Sequence, residues 1–407
     1  MTKLIYSVLL CHFIAAFSAL GMPLFLPMVI PTLGTNIDAQ WIGILFILPT
    51  LCTATASRFW GLFADKYSKR LSLLRAQVGL TAGFVLCGLA TDLPTFVIGL
   101  IVQGTFGGTM AASNSYLSSQ ISDRKKLGQT LNKTQQSARL ALIVAPISLG
   151  FTLSSLNPLN AYLWLAILPL FAFALTLHLP KDQPVLSERQ KDSNNQSLNN
   201  DSGNAQNNGQ LSKIIKPSNI MVQLYILQFM FAFCMVVTFP YFAPFAQSQS
   251  IDSSTMIGFL YALPHLVYLL LASVIHKWST TSRRILLVGF TTLAISNLTH
   301  LLPYMSSLIV ARLLFGIGIV LCFHGLHQSL SHHFSKANSG RVFSRFDAMS
   351  KWGGVIAGLC ASYVSGFGYL SVPFIISSLI SFLAVLMLTY TFKEWEQHVI
   401  DTKFAHR

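Results

Sequence analysis

Negative charge is what this sequence has least of. Thirteen Asp and Glu stand against 27 Lys and Arg, and only 10% of the 407 residues are charged, where a soluble domain carries about 25%. With 53% hydrophobic residues, the chain cannot be an ordinary soluble domain and belongs in a bilayer. Cysteine is also sparse. Cys11, Cys52, Cys87, Cys234, Cys322 and Cys360 lie singly inside apolar runs without Cys-x-x-Cys spacing, which argues against a disulfide framework and leaves them as small core residues. Neither a Walker loop nor a dinucleotide fingerprint is present, so the common phosphate-cradling routes to nucleotide chemistry are missing.

What is abundant is long apolar sequence. Runs fall at 4–30, 40–60, 72–91, 94–117, 130–155, 159–179, 219–247, 254–276, 284–303, 306–331, 342–366 and 369–392. A helical span needs roughly 20 apolar residues, whereas barrel strands are about half as long and alternate in polarity. The expected fold is therefore an all-α membrane protein of twelve transmembrane helices. The run after Lys3 is too long for a signal-peptide core and reads as an uncleaved first span.

The cations decide orientation. Lys3, Lys66/Lys69/Arg70, Arg124/Lys125/Lys126, the stretch from Lys181 to Lys216, Lys277/Arg283/Arg284, Lys336/Arg341 and the tail (Lys393, Lys403, Arg407) fall on one side. The opposite loops at 31–39, 92–93, 156–158, 248–253, 304–305 and 367–368 hold no Lys or Arg. The positive-inside rule then puts both termini in the cytoplasm. It also accounts for the net charge of +14 without nucleic acid.

Residues 181–217 are rich in Asn, Gln, Ser and Gly and read as a flexible linker. They divide the chain into a six-helix bundle at 1–180 and a second at 218–392, with a tail at 393–407. A shift of 212 residues superposes Gly104 on Gly316, Gly128 on Gly340, Lys133 on Arg345, Arg139 on Lys351 and Pro146 on Gly358. Two pseudo-symmetric six-helix bundles in parallel repeat are expected.

The segment Trp60-Gly61-Leu62-Phe63-Ala64-Asp65-Lys66-Tyr67-Ser68-Lys69-Arg70 resembles the loop signature of the major facilitator superfamily, Gly-x-Leu-Ala-Asp-Arg/Lys-x-Gly-Arg/Lys-Arg/Lys. Gly61, Ala64, Asp65, Lys66, Lys69 and Arg70 match, while Phe63 and Ser68 depart from it. The resemblance implies a rocker-switch carrier with a cavity between its halves, powered by an ion gradient such as the proton gradient and needing no cofactor. It implies that Gly61, Asp65 and Arg70 take part in gating, with Asp65 meeting the start of span 11 at Ser339-Gly340-Arg341. Family antiporters often carry Arg-x-x-Gln-Gly in span 4, and here Leu100-Ile101-Val102-Gln103-Gly104 keeps only Gln-Gly. The exporter signature of span 5 survives in degenerate form as Ala145-Pro146-Ile147-Ser148-Leu149-Gly150.

Charges within spans are costly, commonly about 2.5–3.5 kcal/mol each on insertion scales. Arg139 lies about nine residues into span 5, roughly 14 Å at 1.5 Å per residue. Lys351 holds the equivalent depth in span 11, and Arg312 lies in span 10. These three either face the cavity and attract an anionic substrate or bind helix carbonyls between packed spans. Asn114 and Tyr116 in span 4 and Tyr225 and Gln228 in span 7 are candidates to line an amphipathic pocket. Asp347 is the one carboxylate inside a span and a coupling candidate, although Lys351 four residues later is in the favoured order for pairing with it. His12 in span 1 is a second coupling candidate.

His324-x-x-His327 with His332-His333 suggests a histidine-box metalloenzyme, but the other histidines are isolated and no glutamate lies in a span. The expectation is therefore no metal and no catalysis. The run Ser57-Arg58-Phe59-Trp60-Gly61 through Ser72-Leu73-Leu74-Arg75-Ala76-Gln77 is similar to bacterial exporters associated with siderophore production. The expected function is thus proton-coupled export of a small anionic amphipath, foremost a citrate- or carboxylate-type siderophore, by a monomer in the bacterial inner membrane. A multidrug exporter is the alternative, followed by an organic-anion uptake carrier.

Overall fold

Within the described residues, each of the twelve apolar runs contains helix. A computed structural model describes residues 2–34, 38, 40–121, 123–182, 219–275, 281–332 and 339–390. The linker from 183 to 217, the tail and the side chain of Arg341 lie outside the described residues. The first half comprises α1 (Thr2–Gly21), α2 (Leu26–Leu33), α3 (Trp41–Lys66), α4 (Lys69–Gly88), α5 (Leu93–Phe106), α6 (Thr109–Gln120), α7 (Arg124–Leu153) and α8 (Pro158–Leu177). The second comprises α9 (Asn219–Val236), α10 (Phe242–Ser248), α11 (Ser254–Ile275), α12 (Ser282–His300), α13 (Met305–His332), α14 (Ser339–Ser365) and α15 (Val372–Tyr390). No strand occurs among the described residues.

Nine helical segments are long and apolar enough to cross a membrane, among the described residues. The other three runs are helical too, but α9 is short, α12 opens on Arg283 and Arg284, and α14 carries Arg345, Asp347 and Lys351. Length and composition alone therefore mark nine spans, not twelve.

Breaks within runs follow proline and glycine. A 3-10 turn at Met22–Phe25 containing Pro23 joins α1 to α2. Gly108, at φ +82°, separates α5 from α6 in a conformation that a side chain would strain. Carbonyls freed at that break are taken up by Arg75, whose Nη1 donates to Phe106 O at 2.6 Å and Gly107 O at 3.1 Å. The guanidinium lies 3.8 Å from the centre of the Trp60 ring.

The repeat is visible in side-chain contacts. Arg70 Nε donates to Thr176 O at 3.1 Å and its Nη2 to Leu177 O. In the second half, Arg283 Nε donates to Leu388 O at 3.1 Å and Nη2 to Thr389 O at 3.3 Å. Each arginine at the start of one helix closes the carbonyl end of another, where cations are favoured. Likewise a Cβ on Gly104 would lie 2.5 Å from Pro49 O, and one on Gly316 2.8 Å from Pro264 O. Glycine thus seats one helix on the proline bend of its neighbour in both halves.

Candidate functional site

The halves meet along two seams, α7 against α11 and α3 against α14. Both are closed at the end remote from the basic loops. A Cβ at Gly258 would overlap the carbonyl of Pro146, and one at Gly150 the carbonyl of Ser254. On the other seam Gly43 packs on Gly358 O and Ser362. There the Tyr241 hydroxyl accepts from Gly43 N at 3.2 Å, and Ser362 Oγ donates to Gln40 O. The segment Ala145 to Gly150 does two jobs here, because Ala145 also packs on Gly21 of α1. Small residues at these positions let backbones touch.

Toward the basic end α3 and α14 leave a cleft of about 360 Å³, lined by Leu51, Ala54, Thr55, Ser57, Asp347, Ala348, Lys351, Trp352 and Val355. Lys351 Nζ and Asp347 Oδ2 are 2.8 Å apart, with side chains 42% and 65% exposed. The acid-before-base order on one helix face brings them together. Their exposure keeps the net gain to about 0.3–0.5 kcal/mol.

Arg139 occupies the other seam. Half-buried on α7, it reaches across to α11, where Nη1 lies 3.4 Å from His265 Nδ1. Its guanidinium carbon is 4.3 Å from the centre of the Tyr268 ring and 5.9 Å from that of Phe323 on α13. No Asp or Glu occurs in α7, α10, α11 or α13, so the cation faces aromatic rings and an imidazole, with no counter-charge from those helices. Cation–π contact of this kind contributes about 0.5–2 kcal/mol. The arrangement can hold an acidic or hydrogen-bond-accepting group on the guanidinium and an apolar body against the rings.

Other expected positions lie elsewhere. Arg312, 1% exposed, does not line the cleft. Its Nε donates to Leu260 O at 2.9 Å and Nη2 to Tyr261 O at 3.0 Å, with the Phe242 ring 4.3 Å away. Pro264 lacks the N–H that would have paired with Leu260 O, so Arg312 caps a bend, and the alternative of binding helix carbonyls is the one realised. Tyr116 is buried among Ile5, Val8, Leu73 and Leu179 and donates to Pro180 O at 2.8 Å, away from the cleft beside Asp347 and Lys351. Tyr225 is half-buried against the core of the second half. Gln228 and Asn114 each have a buried side-chain oxygen, and His12 a buried Nδ1, without a partner among the described residues.

The hairpin residues expected to gate take the following positions. Arg70 is engaged with the end of α8, and Asp182 returns the contact. Its carboxylate accepts from Ser68 Oγ at 2.6 Å, Lys69 N at 2.6 Å and Arg70 N at 3.0 Å. Partial burial opposes the charge on Asp182, but the hydrogen bonds from Ser68, Arg70 and Lys69 outweigh it and hold the carboxyl below its ordinary value. Asp65 is exposed, and Gly61 faces open space. Whether Asp65 meets Arg341 falls on a side chain outside the described residues. Sequence reasoning passed over His265, Tyr268 and Phe323. Tyr261, His265 and Tyr268 recur at intervals of four and three residues, a polar-aromatic stripe on one face that was the available signal.

A model of the Major Facilitator Superfamily matches residues 8–281 and 224–399. The chain belongs to the major facilitator superfamily. It is thus a multi-pass membrane protein of a transporter family. It is 28% identical over 175 residues to Multidrug resistance protein MdtG of Klebsiella pneumoniae (strain 342), a match spanning 42% of each chain. Against the protein of that name from Escherichia coli (strain K12 / DH10B) identity is 30% over 188 residues, 45% of this chain and 46% of that one. The match therefore spans less than half the length of these relatives. Among solved structures, the xylose transporter XylE from E. coli superposes with a TM-score of 0.72 at 14% identity, covering 96% of this chain and 95% of that one. The peptide transporter POT superposes at 0.73 and 12%, covering 95% and 94%. At such identity these likenesses establish the fold alone.

Proposed function

We propose that the chain is a secondary exporter of multidrug type in the bacterial inner membrane, taking acidic or neutral amphipathic molecules rather than cations. The observation that carries the chemical part is Arg139, a cation on the seam with aromatic neighbours and no carboxylate in the helices around it. Similarity to MdtG supports the multidrug part. The narrower expectation of a siderophore finds no counterpart among these relatives. The distribution of Lys and Arg supports a cytoplasmic basic end. The cleft beside Asp347 and Lys351 would then open toward the side from which an exporter loads. A single chain supplies both seams, and the proton gradient is the energy source that the family resemblance implies.

The test is expression in an efflux-deficient bacterial strain challenged with acidic, neutral and cationic amphipaths of similar size. Resistance to the first two classes, lost in Arg139→Gln, is expected. Resistance restricted to cations, or undiminished in Arg139→Gln, would overturn the reading. Siderophore secretion under iron limitation is expected to be unchanged by deleting the gene.

A further inference from the structure

Arg75 leaves open an edge that other arginines of this chain close. Arg70, Arg283 and Arg312 each direct Nε and Nη2 at two consecutive carbonyls. Arg75 instead uses Nη1 for both Phe106 O and Gly107 O. Its Nε is buried without a partner among the described residues, and its Nη2 has only a long contact of 3.4 Å with Ser72 Oγ. The two carbonyls and the Trp60 ring, 3.8 Å away, hold the guanidinium in place. Its Nε–Nη2 edge is the one that matches a carboxylate with two parallel hydrogen bonds. No Asp or Glu occurs in α4, α5, α6 or α8, so the helices around Arg75 supply no such group.

The same residue borders an apolar groove of about 530 Å³ on the outside of the first half. The walls are Leu74, Val78 and Ala82 of α4, Val102 and Phe106 of α5, and Phe173 of α8, and Arg75 is the sole polar side chain among the lining residues. Val78 and Phe106 are exposed, which in a membrane protein turns them toward lipid. Arg75 and Ala82 are 7 positions apart, roughly 10 Å of helix, which is shorter than a leaflet of roughly 15 Å.

We propose that this groove binds a free medium-chain fatty acid, with its carboxylate on the Nε–Nη2 edge of Arg75 and its tail along α4 toward Ala82. Ser72 Oγ, at its long contact, is the group that the incoming oxygen replaces on Nη2. One cation and one short groove suit one acidic group and one chain. A phospholipid fits less well, because it brings two chains, and its headgroup would have to sink to Arg75, 6 positions or roughly 9 Å beyond the start of α4 at Lys69. A cationic amphiphile would meet an unopposed like charge. The site lies within the first half and uses neither α7 nor α11, so it is separate from the Arg139 seam.

The test uses the purified full chain in phosphatidylcholine nanodiscs and decanoic acid carrying a diazirine at its tail, irradiated at subsaturating concentration and mapped by peptide mass spectrometry. Labelling is expected to concentrate between Val78 and Ala82, at Val102 and at Phe173. Unlabelled decanoate should displace it, whereas decan-1-ol, decyltrimethylammonium and phosphatidylglycerol at the same membrane concentration should not. Arg75→Lys keeps the charge but loses the fork, and should lower the labelling about tenfold. Ala82→Phe fills the far end of the groove without touching a hydrogen bond of Arg75, and should lower it several-fold. Thermal unfolding identifies the variants that are folded, and Ala82→Phe carries the test if Arg75→Lys is not. Label spread evenly over the bilayer-facing residues of both halves, equal displacement by decan-1-ol, or unchanged labelling in either folded variant would overturn the site. Displacement by phosphatidylglycerol would assign the groove to a phospholipid and overturn it as well.

Discussion

Arg312→Met separates a helix cap from a cargo ligand. The guanidinium supplies two donors to two carbonyls, Leu260 O and Tyr261 O, at a bend where Pro264 has removed one native donor. Each carbonyl left buried without a partner costs about 1–3 kcal/mol. Removing a buried charge returns part of that, so a net loss of roughly 2–4 kcal/mol is expected. For a chain of this length each kcal/mol moves Tm by about 2 °C or less, giving a drop of a few degrees. Thermal unfolding in detergent, followed by a thiol-reactive dye at the buried Cys87, Cys234 and Cys322, reads it directly. The cycle with Pro264→Ala is the sharper measurement. Alanine restores the N–H to Leu260 O, so the arginine loses one of its two jobs, and a coupling of about 1–2 kcal/mol is expected. Arg312→Met melting with the wild type, or strict additivity with Pro264→Ala, would refute the cap. Lost binding at unchanged stability would return Arg312 to the cargo site.

Three further outcomes follow from the same contacts. The Asp182 carboxyl sits below its ordinary value in the fold, so its contribution is complete above about pH 4 and disappears as pH falls through the folded value; Asp182→Asn should cost about 1 kcal/mol at neutral pH after allowance for solvent screening, and the difference from wild type should vanish in acid. Gly258→Ala drives a methyl into Pro146 O and should force the α7–α11 seam apart, raising alkylation of a cysteine placed at the buried Ser254 by several fold; an unchanged rate would mean the seam yields elsewhere. A double-mutant cycle on Asp347 and Lys351 should give a coupling of about 0.3–0.5 kcal/mol that fades with salt, and a value well above that range would show the pair to be desolvated.

Among the described residues the apolar runs located the long helices, because lipid leaves a spanning backbone no other way to satisfy its donors and acceptors. Asp347 and Lys351 were legible as a pair because a local helical interval determines their contact. Arg312 and Tyr116 were not legible, since residue type and depth are the same for a cavity residue and for a cap. What decides Arg312 is that Pro264, 48 positions earlier, faces it across the bundle. Arg70 shows the same limit. The hairpin motif identified the fold, but its last arginine closes α8, a partner more than a hundred residues away. His265 looked isolated because its neighbours Arg139 and Phe323 come from other helices.

The internal repeat gives each half one cation at equivalent depth, Arg139 on α7 and Lys351 on α14, and each lies on a seam between the halves. Their surroundings are opposite. Lys351 has a carboxylate 2.8 Å away and faces a solvated cleft, where its charge is already answered. Among the described residues, the contacts of the half-buried Arg139 are rings and an imidazole, where an anion would meet little competition. Of this equivalent pair, Arg139 is the one with no carboxylate beside it among the described residues. On the proposed reading of Arg139, a cargo with one acidic group and a broad apolar body would satisfy that site, whereas a polycarboxylate would bring further charges with no partner and a desolvation cost for each. That is the physical reason to favour monoanionic or neutral amphipaths over a citrate-type ligand, and a series of one, two and three carboxylates on a common aromatic body should bind in falling order.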